Sequence, residues 1–369
     1  MEMILIEDCC EILDSKRIPI TAKNRTPGPY PYYGANGIQD YVDNYIFDDE
    51  LVLLAEDGGN FGSTEKPIAY RVSGKCWVNN HAHVLKPRNG IDVDYLCYSL
   101  MFYDTNGLVN GATRQKLTQS TLKKMSIPKR TVKQQLQIVQ ELNTIKKLIT
   151  ARQQELQKLD DLIKARFVEM FGDPVYSAID SKIELSDICE KITDGEHGSV
   201  ARVANGHPFL NAKHILKTGV IDWKTITYIG DEDHQRIYKR CNPEKGDILL
   251  TTTGTIGNVA IMPECEEVSM DRGITLLKIN RHKVTSEFVA EMLKHPSIQM
   301  AMGANVHASA IGHLFMNKVK KLPSILPSMK KQIEFTTFVQ QIDKSKATVQ
   351  KALDETQLLF DSLMQQYFG

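Results

Sequence analysis

The chain has 369 residues, with 45 basic and 45 acidic side chains, 42% hydrophobic residues and seven cysteines. That length exceeds what one hydrophobic core organises and suits two domains with connecting elements. A net charge of zero excludes a polycation that coats nucleic acid regardless of sequence, while leaving room for local basic loops or for phosphate contacts shared with partner subunits. The cysteines (9, 10, 76, 97, 189, 241 and 265) form no C-x-x-C pair, which excludes a zinc ribbon or dithiol redox motif and fits reduced thiols. Met1-Glu2-Met3-Ile4 does not lead from a basic stretch into an apolar core, and no run approaches ~18 apolar residues. The expectation is a soluble, cytoplasmic protein with no membrane association.

In chain order, Ile4–Leu13 (ILIEDCCEIL) recurs as Ile183–Ile192 (IELSDICEKI). Each copy then enters a stretch rich in Gly, Pro and Asn, Asn24–Gly34 in the first and Asp194–Ser199 with His207–Lys213 in the second. Such dense turn chemistry predicts irregular, exposed backbone. A strand–turn–strand unit follows in both copies. The first is Leu51–Leu54, Asp57–Gly62, then Trp77-Val78 and Ala82–Leu85. The second is Gly246–Leu250, Thr251–Gly257, Val259–Ile261 and Gly273–Leu277. Short β-rich runs broken by glycine turns predict a curved sheet. A short helix closes each copy (95–103 and 286–294), and a polar loop leads on, Asn110–Lys116 in the first and Asn305–His313 in the second.

Thr131–Phe171 then contains neither Gly nor Pro. Steps of four and three pass through Ile138, Leu142, Ile145, Ile149, Arg152, Leu156, Leu159, Ile163, Arg166 and Met170, eight of them apolar. A seam of period 3.5 over four heptads predicts a coiled-coil helix of roughly 60 Å. Adding 197 to each number gives Phe335, Val339, Ile342, Lys346, Val349, Leu353, Thr356, Phe360, Leu363 and Tyr367, again eight apolar of ten. Two seams in one register mark a duplicated unit whose helices pair with each other. The offset grows from 179 at the start of the copies to 197 at their ends, so the second lobe carries about 17 extra residues in its early loops. One scaffold with divergent loops predicts two recognition surfaces with different targets.

No catalytic constellation is present. Asp173-Pro174-Val175-Tyr176 resembles the D-P-P-Y motif of amino-methyltransferases, but it follows a helix-ending glycine, where a proline stop is expected. The nearest glycine-rich turns, Asp57–Gly62 and Gly254–Gly257, run strand–turn–strand and not strand–turn–helix. No G-x-S-x-G or H-E-x-x-H occurs, and the histidines lack metal-ligand spacing. Neither catalytic nor metal-binding residues are expected. What remains suits base edges and phosphate: Arg forks onto guanine, Asn and Gln pair with adenine, and hydroxyls with free amides hold phosphate. The candidates are Asn24, Arg25, Tyr32, Asn36, Asn60, Arg114, Gln115 and Lys116 in the first copy. In the second they are His197, Arg202, Asn211, Lys213, His214, Thr252, Thr253, Thr255, His307 and His313.

The plan as a whole resembles the DNA-specificity subunit of Type I restriction–modification systems, over the full length. The carrying residues are Met170-Phe171-Gly172-Asp173-Pro174-Val175 at the junction, Ile127-Pro128 to Gln134-Gln135, Leu326-Pro327 to Lys331-Gln332, Asp194-Gly195-Glu196-His197, Phe209-Leu210-Asn211 and Gly246–Leu250. The chain departs from that pattern at Asp49-Glu50, where Gly-Asp is usual, and at Ala308–His313, where the first copy keeps the more usual Gly111-Ala112-Thr113-Arg114-Gln115.

The expected fold is α+β. Two globular α/β target recognition domains (1–129 and 173–327) are joined and spaced by two long antiparallel coiled-coil helices (130–172 and 328–369), related by a pseudo-two-fold. The resemblance implies a non-catalytic reader of double-stranded DNA, each domain taking one half of a bipartite site. It further implies two modification (methyltransferase) subunits docked on the helices, and restriction (endonuclease/translocase) subunits joining them. S-adenosylmethionine, ATP and Mg belong to those partners, and this chain carries no cofactor. Two other classes stand beside this reading: a DNA methyltransferase with its own active site, and a coiled-coil adaptor whose lobes bind proteins.

Overall fold

In the computed structural model, which describes residues 2–111, 115–176, 183–306 and 312–369, the chain divides into two units. One comprises the residues up to Gln153 together with Lys351–Gly369, and the other is Gln154–Gln350. Each unit contains a β-rich lobe and half of each long helix, so the unit boundary falls within the helices and not at their ends. The reason is that a helix has no core of its own, and each half completes the core of the lobe it packs on.

The first lobe runs β1 (Met3–Leu5), α1 (Ile6–Cys9), β2 (Cys10–Ile12), β3 (Pro27–Gly34), β4 (Gly37–Val42), β5 (Phe47–Ala55), β6 (Ala69–Val78), β7 (Ala82–Pro87), α2 (Val93–Met101), α3 (Gln119–Lys124) and β8 (Ser126–Pro128). Its main sheet has the order β2-β7-β5-β6-β3-β4, and β1 pairs antiparallel with β8 outside it. The apolar run in β5 is buried on both faces. Alternation sends Val52 and Leu54 into a core shared with α2, and Leu51 and Leu53 into a second core with Phe47, Val72 and Val84. The long helix α4 (Val132–Phe171) follows.

The second lobe runs β9 (Ile183–Glu184), β10 (Cys189–Asp194), β11 (His207–Leu210), β12 (Thr227–Ile229), α5 (Asp231–Arg240), β13 (Ile248–Thr251), β14 (Val259–Ile261), β15 (Ser269–Met270), β16 (Ile274–Ile279), α6 (Ser286–Lys294), α7 (Pro296–Ala304), α8 (Met316–Lys320) and β17 (Pro323–Ser324), ahead of α9 (Met329–Phe368). Its sheet order β10-β16-β13-β14 repeats β2-β7-β5-β6, and β9–β17 repeats β1–β8. The copies diverge beyond that shared sheet. The first lobe extends it with the β3–β4 hairpin, while the second builds a separate sheet β12-β11-β15 and inserts α5. The extra residues of the second copy lie here.

Several elements differ from the sequence expectation, among them β11, a strand with buried Phe209 and Leu210 inside the expected irregular stretch His207–Lys213, and the unforeseen helix α7. From Pro27 on, the Pro-rich stretch is a strand and not irregular backbone. Its pairing slips register between Pro27 and Tyr30 and again between Tyr32 and Tyr33, which accommodates residues without an N–H. Tyr30 packs on Tyr45 and Tyr33 on Tyr70, with ring centroids 5.1 and 5.8 Å apart, so aromatic packing holds what proline weakens. Helix α5 was not foreseen, because Ile237 is its single buried aliphatic residue. Its ends did carry a signal: Asp231, Glu232 and Asp233 in the first turn and Lys239 and Arg240 in the last complement the helix dipole.

The long helices pair antiparallel within each unit. In the first, Tyr367 donates from its hydroxyl to Glu141 (2.5 Å) and Arg152 donates to the Ala352 carbonyl. In the second, Lys346 meets Asp160 at 2.6 Å and Arg166 meets Glu334 at 2.9 Å. The polar seam positions Arg152, Arg166 and Lys346 thus all bond across the helix pair, which pins register. Ile138, Leu142, Ile145, Ile163, Phe335, Val339 and Phe360 are buried under the lobes, whereas Ile149, Leu156, Leu159, Ile342, Val349, Leu353 and Leu363 are half-buried. A helix covered by one partner alone keeps part of its seam wet. Aromatic pairs join lobe to helix in both units: Tyr95 with Phe368 (5.4 Å) in the first, Phe288 with Phe171 (5.0 Å) in the second. No helix among the described residues is long and apolar enough to cross a membrane.

Candidate nucleic-acid interface

The candidate loops of each lobe are held by one repeated device. In the first lobe the turn after β5 bridges to the loop ahead of α3. The Leu117 N–H donates to the Glu56 carbonyl (2.7 Å), the Gly58 N–H donates to that of Gln115 (3.2 Å), and Asp57 pairs with Lys116. In the second lobe the turn after β13 does the same. The Leu314 N–H donates to the Thr252 carbonyl (2.9 Å), the Gly254 N–H donates to that of Gly312 (3.2 Å), and Thr253 pairs with His313. The glycines have φ of +64° and +75°, where a β-carbon would be strained. Leu117 and Leu314 are both buried and nail each loop to its core.

The chemistry displayed on that shared bridge differs between lobes. The first presents Gln115 and Lys116, both exposed, with Asn36 donating from its side chain to the Gly58 carbonyl (3.0 Å). His81 lies 2.6 Å from Asp57 on the same rim. Sequence reasoning missed it, although the Asn79-Asn80-His81 turn between two strands signals an exposed loop tip. The second presents exposed Thr255 and half-buried Thr253, whose hydroxyl is 2.7 Å from His313 Nδ1. Arg114 and His307 lie outside the described residues.

The remaining candidates are dispersed. Asn24 is exposed beside Arg25, which is pinned by Asp40 (3.2 Å) and the Ile20 carbonyl and lies 4.1 Å over the Tyr32 ring. Asn60 is half-buried in the turn after β5. In the second lobe His197 bonds Asp194 (2.8 Å), Arg202 covers the Phe209 ring at 4.3 Å, Lys213 is exposed and Asn211 is half-buried. Burial removes three side chains from any accessible surface: Tyr32 (1% exposed), His214 (0%) and Thr252 (1%). Tyr32 instead bonds the Ile20 backbone, His214 Nδ1 accepts from the Asn211 N–H (3.1 Å), and Thr252 meets Thr275. All three face the interior, where His214 Nε2 has no hydrogen-bond partner among the described residues.

Beneath the first lobe's bridge lies a buried ionic network. His83 places Nδ1 2.6 Å from Asp14 and Nε2 2.9 Å from the Leu117 carbonyl, at the base of the candidate loop. Asp14 also accepts from the Val84 N–H (3.0 Å) and the Gln119 amide (3.1 Å). Burial pushes the Asp14 carboxyl up, but His83, the Val84 N–H and Arg17 outweigh it and hold the group below the usual carboxylate range. Asp14, Glu56 and His83 are the one trio among the described residues close enough to share a cation. Arg17 (2.5 Å) and Lys116 (3.0 Å) already neutralise Glu56 there, so the trio is a structural ion network. The second lobe has the Thr252–Thr275 hydroxyl pair at this place (3.3 Å).

The Asp-Pro-Val-Tyr run is likewise structural. Asp173 Oδ1 accepts from the Val175 N–H (2.8 Å) and the Tyr176 N–H (3.1 Å), turning the chain just after Gly172 ends α4. Its carboxylate caps its own turn and is not directed at a base.

Two β-rich lobes on one repeated scaffold, each bound to both long helices and each offering a different loop rim, define a two-part recognition subunit. The comparisons agree. The family model for the Type I restriction modification DNA specificity domain matches residues 1–160 and again 182–356, and the chain belongs to that family. A Haemophilus influenzae protein proposed to be a type I restriction enzyme specificity subunit is 26% identical over 349 residues, 92% of this chain and 86% of that one. The Escherichia coli type I restriction enzyme EcoprrI specificity subunit is 25% identical over 109 residues, 30% of this chain and 26% of its own. In fold, the chain is similar to the crystal structure of a Type I restriction–modification S subunit from M. genitalium. Their TM-score is 0.56 at 16% identity, covering 100% of this chain and 96% of the other.

Proposed function

We propose that each lobe reads one half of a bipartite, asymmetric double-stranded DNA site through the rim of its loop bridge. The paired helices fix the distance between half-sites and dock two modification subunits. In this reading those subunits supply S-adenosylmethionine-dependent adenine methylation, and ATP- and Mg-dependent restriction subunits join them. This chain contributes recognition and no chemistry. One observation supports this above the others: the same bridge recurs in both lobes with different side chains on it, as a reader of two unlike half-sites requires. The alternatives lose support from the same features. The D-P-V-Y run is spent on its own turn, and a protein-binding adaptor has no need of two matched loop bridges.

The test is to co-express the chain with a modification subunit in a host without that activity and map methylated adenines genome-wide. Methylation confined to one two-part sequence of constant spacer is expected. Methylation without sequence preference, or methyl transfer by the purified chain alone, would refute the proposal.

A further inference from the structure

A glutamine near the start of each long helix is completely buried, Gln135 in α4 and Gln332 in α9, both 0% exposed. An amide side chain belongs in such a place only when every donor and acceptor is met. Gln135 accepts from the Asp92 N–H (2.8 Å) and donates to the carbonyls of Gly90 and Arg130 (both 2.9 Å). Gln332 accepts from the Thr285 N–H (3.0 Å) and donates to the carbonyls of Lys283 and Pro327 (both 2.9 Å). The two sets correspond bond for bond. Asp92 and Thr285 are the residues that cap α2 and α6, each accepting an N–H of its helix's first turn. Gly90 and Lys283 lie two residues ahead of those caps, and Arg130 and Pro327 lie just ahead of the long helices. One side chain therefore bonds three backbone groups and ties the capping turn of the lobe to the start of the long helix.

The loops that carry recognition differ between lobes, yet this joint is identical. We infer that Gln135 and Gln332 are positioning residues that fix the angle of each lobe on its helix, and thereby set the spacer that the protein accepts between half-sites. The inference rests on the proposed reading of a bipartite site. A lobe free to rock on its helix still offers the same rim to its own half-site, but no longer at one set distance and rotation from the other. Loss of the clamp thus relaxes spacing and leaves base preference alone. A residue that merely supports the fold would weaken both together.

The full chain, assembled with its modification subunits, is to be tested on duplexes carrying both half-sites at the mapped spacer and at one base pair fewer or more. The wild type is expected to favour the mapped spacer by about tenfold, since each added pair also turns the second half-site by about a tenth of a turn. Gln135→Met and Gln332→Met keep the volume and remove all three bonds. Each is expected to reduce that preference to about threefold, with discrimination against a scrambled half-site unchanged. In the wild type, hydrogen exchange at the Asp92 and Thr285 amides is expected to be as slow as in the neighbouring helices α2 and α6.

A methionine variant that keeps the wild-type spacer preference overturns the inference, and so does one that loses half-site discrimination in step with it. Rapid exchange at both amides overturns it as well, and that measurement decides the matter even if neither variant folds. A wild-type complex with no sequence preference at all would instead sink the functional reading itself, before any variant is made.

Discussion

Asp14 shows how a residue far from any rim can govern one. It is nearly buried, and its carboxylate holds His83, which in turn holds the Leu117 carbonyl at the foot of the loop carrying Gln115 and Lys116. Burial works against its ionisation, and the hydrogen bond and charge of His83 lead the groups that outweigh it, so its folded pKa is depressed. The linkage follows from that direction. A depressed carboxylate contributes stability that is complete above the unfolded value near 3.9 and disappears as pH falls through the folded value. Asp14→Asn is expected to cost the first lobe about 3 kcal/mol at neutral pH, because His83 and Arg17 lose their buried partner. The cost should shrink below about pH 4, where the wild type is losing the same interaction. Each lobe has one tryptophan, Trp77 and Trp223, so denaturation followed by fluorescence in a Trp223→Phe background reports the first lobe separately. Equal stability of Asp14→Asn and its parent at pH 7 would show that the network holds nothing.

Among the elements, the long helices were the most legible, because eight apolar positions in ten at a 3.5 spacing admit no other regular structure. The seam's burial was less so. A heptad pattern marks which side chains face the partner, and it is silent on where a lobe adds a third layer. Leu142 is fully buried in the first lobe's core, whereas Leu156 is half-buried. Leu142→Ala is therefore expected to cost about 2–5 kcal/mol and Leu156→Ala about 1 kcal/mol. Urea unfolding of the two variants checks this, and a Leu156 variant as unstable as Leu142→Ala would mean the mid-helix seam is dry. A lysine at 156 can extend its ammonium to water, so it is a milder insult than a charge at 142. The same distinction explains the candidate site. The loops were readable from their turn residues, and Gln115, Lys116, Thr253, Thr255 and His313 do lie at the bridges. Tyr32, His214 and Thr252 were equally polar on paper, but nothing local says that the tyrosine after Pro31 sits under an arginine, or that one candidate threonine of three faces inward. The Gln135 and Gln332 clamps were visible only as a repeated residue pair, since the lobe partners of each are 43 to 49 positions away.

For the whole molecule, the internal repeat makes a specific demand on any exchange of lobes. Each unit has its own core, and the second lobe's core is completed by Phe167 and Phe171 from α4 and Phe335 from α9. Phe288 on α6 stacks on Phe167 (5.7 Å) and meets Phe171 edge-on (5.0 Å). Replacing residues 173–321 with the matching lobe of a related subunit keeps the helices and the β17 strand but discards Phe288 and the Thr285 cap. The graft is therefore expected to fold where the donor supplies an aromatic residue at the place of Phe288, and to fail by roughly 3–5 kcal/mol of lost packing where it supplies alanine. A folded graft should change one half-site of the methylated sequence while the other half and the spacer persist, because the first lobe and its Gln135 clamp remain and Gln332 is kept to bond the donor's capping turn. Methylation mapping of the co-expressed graft reads all three at once. If both half-sites changed, recognition would not be divided between the lobes. If the spacer alone changed, the donor's capping turn would be setting a new angle on Gln332, and the joint, more than helix length, would be what measures the DNA.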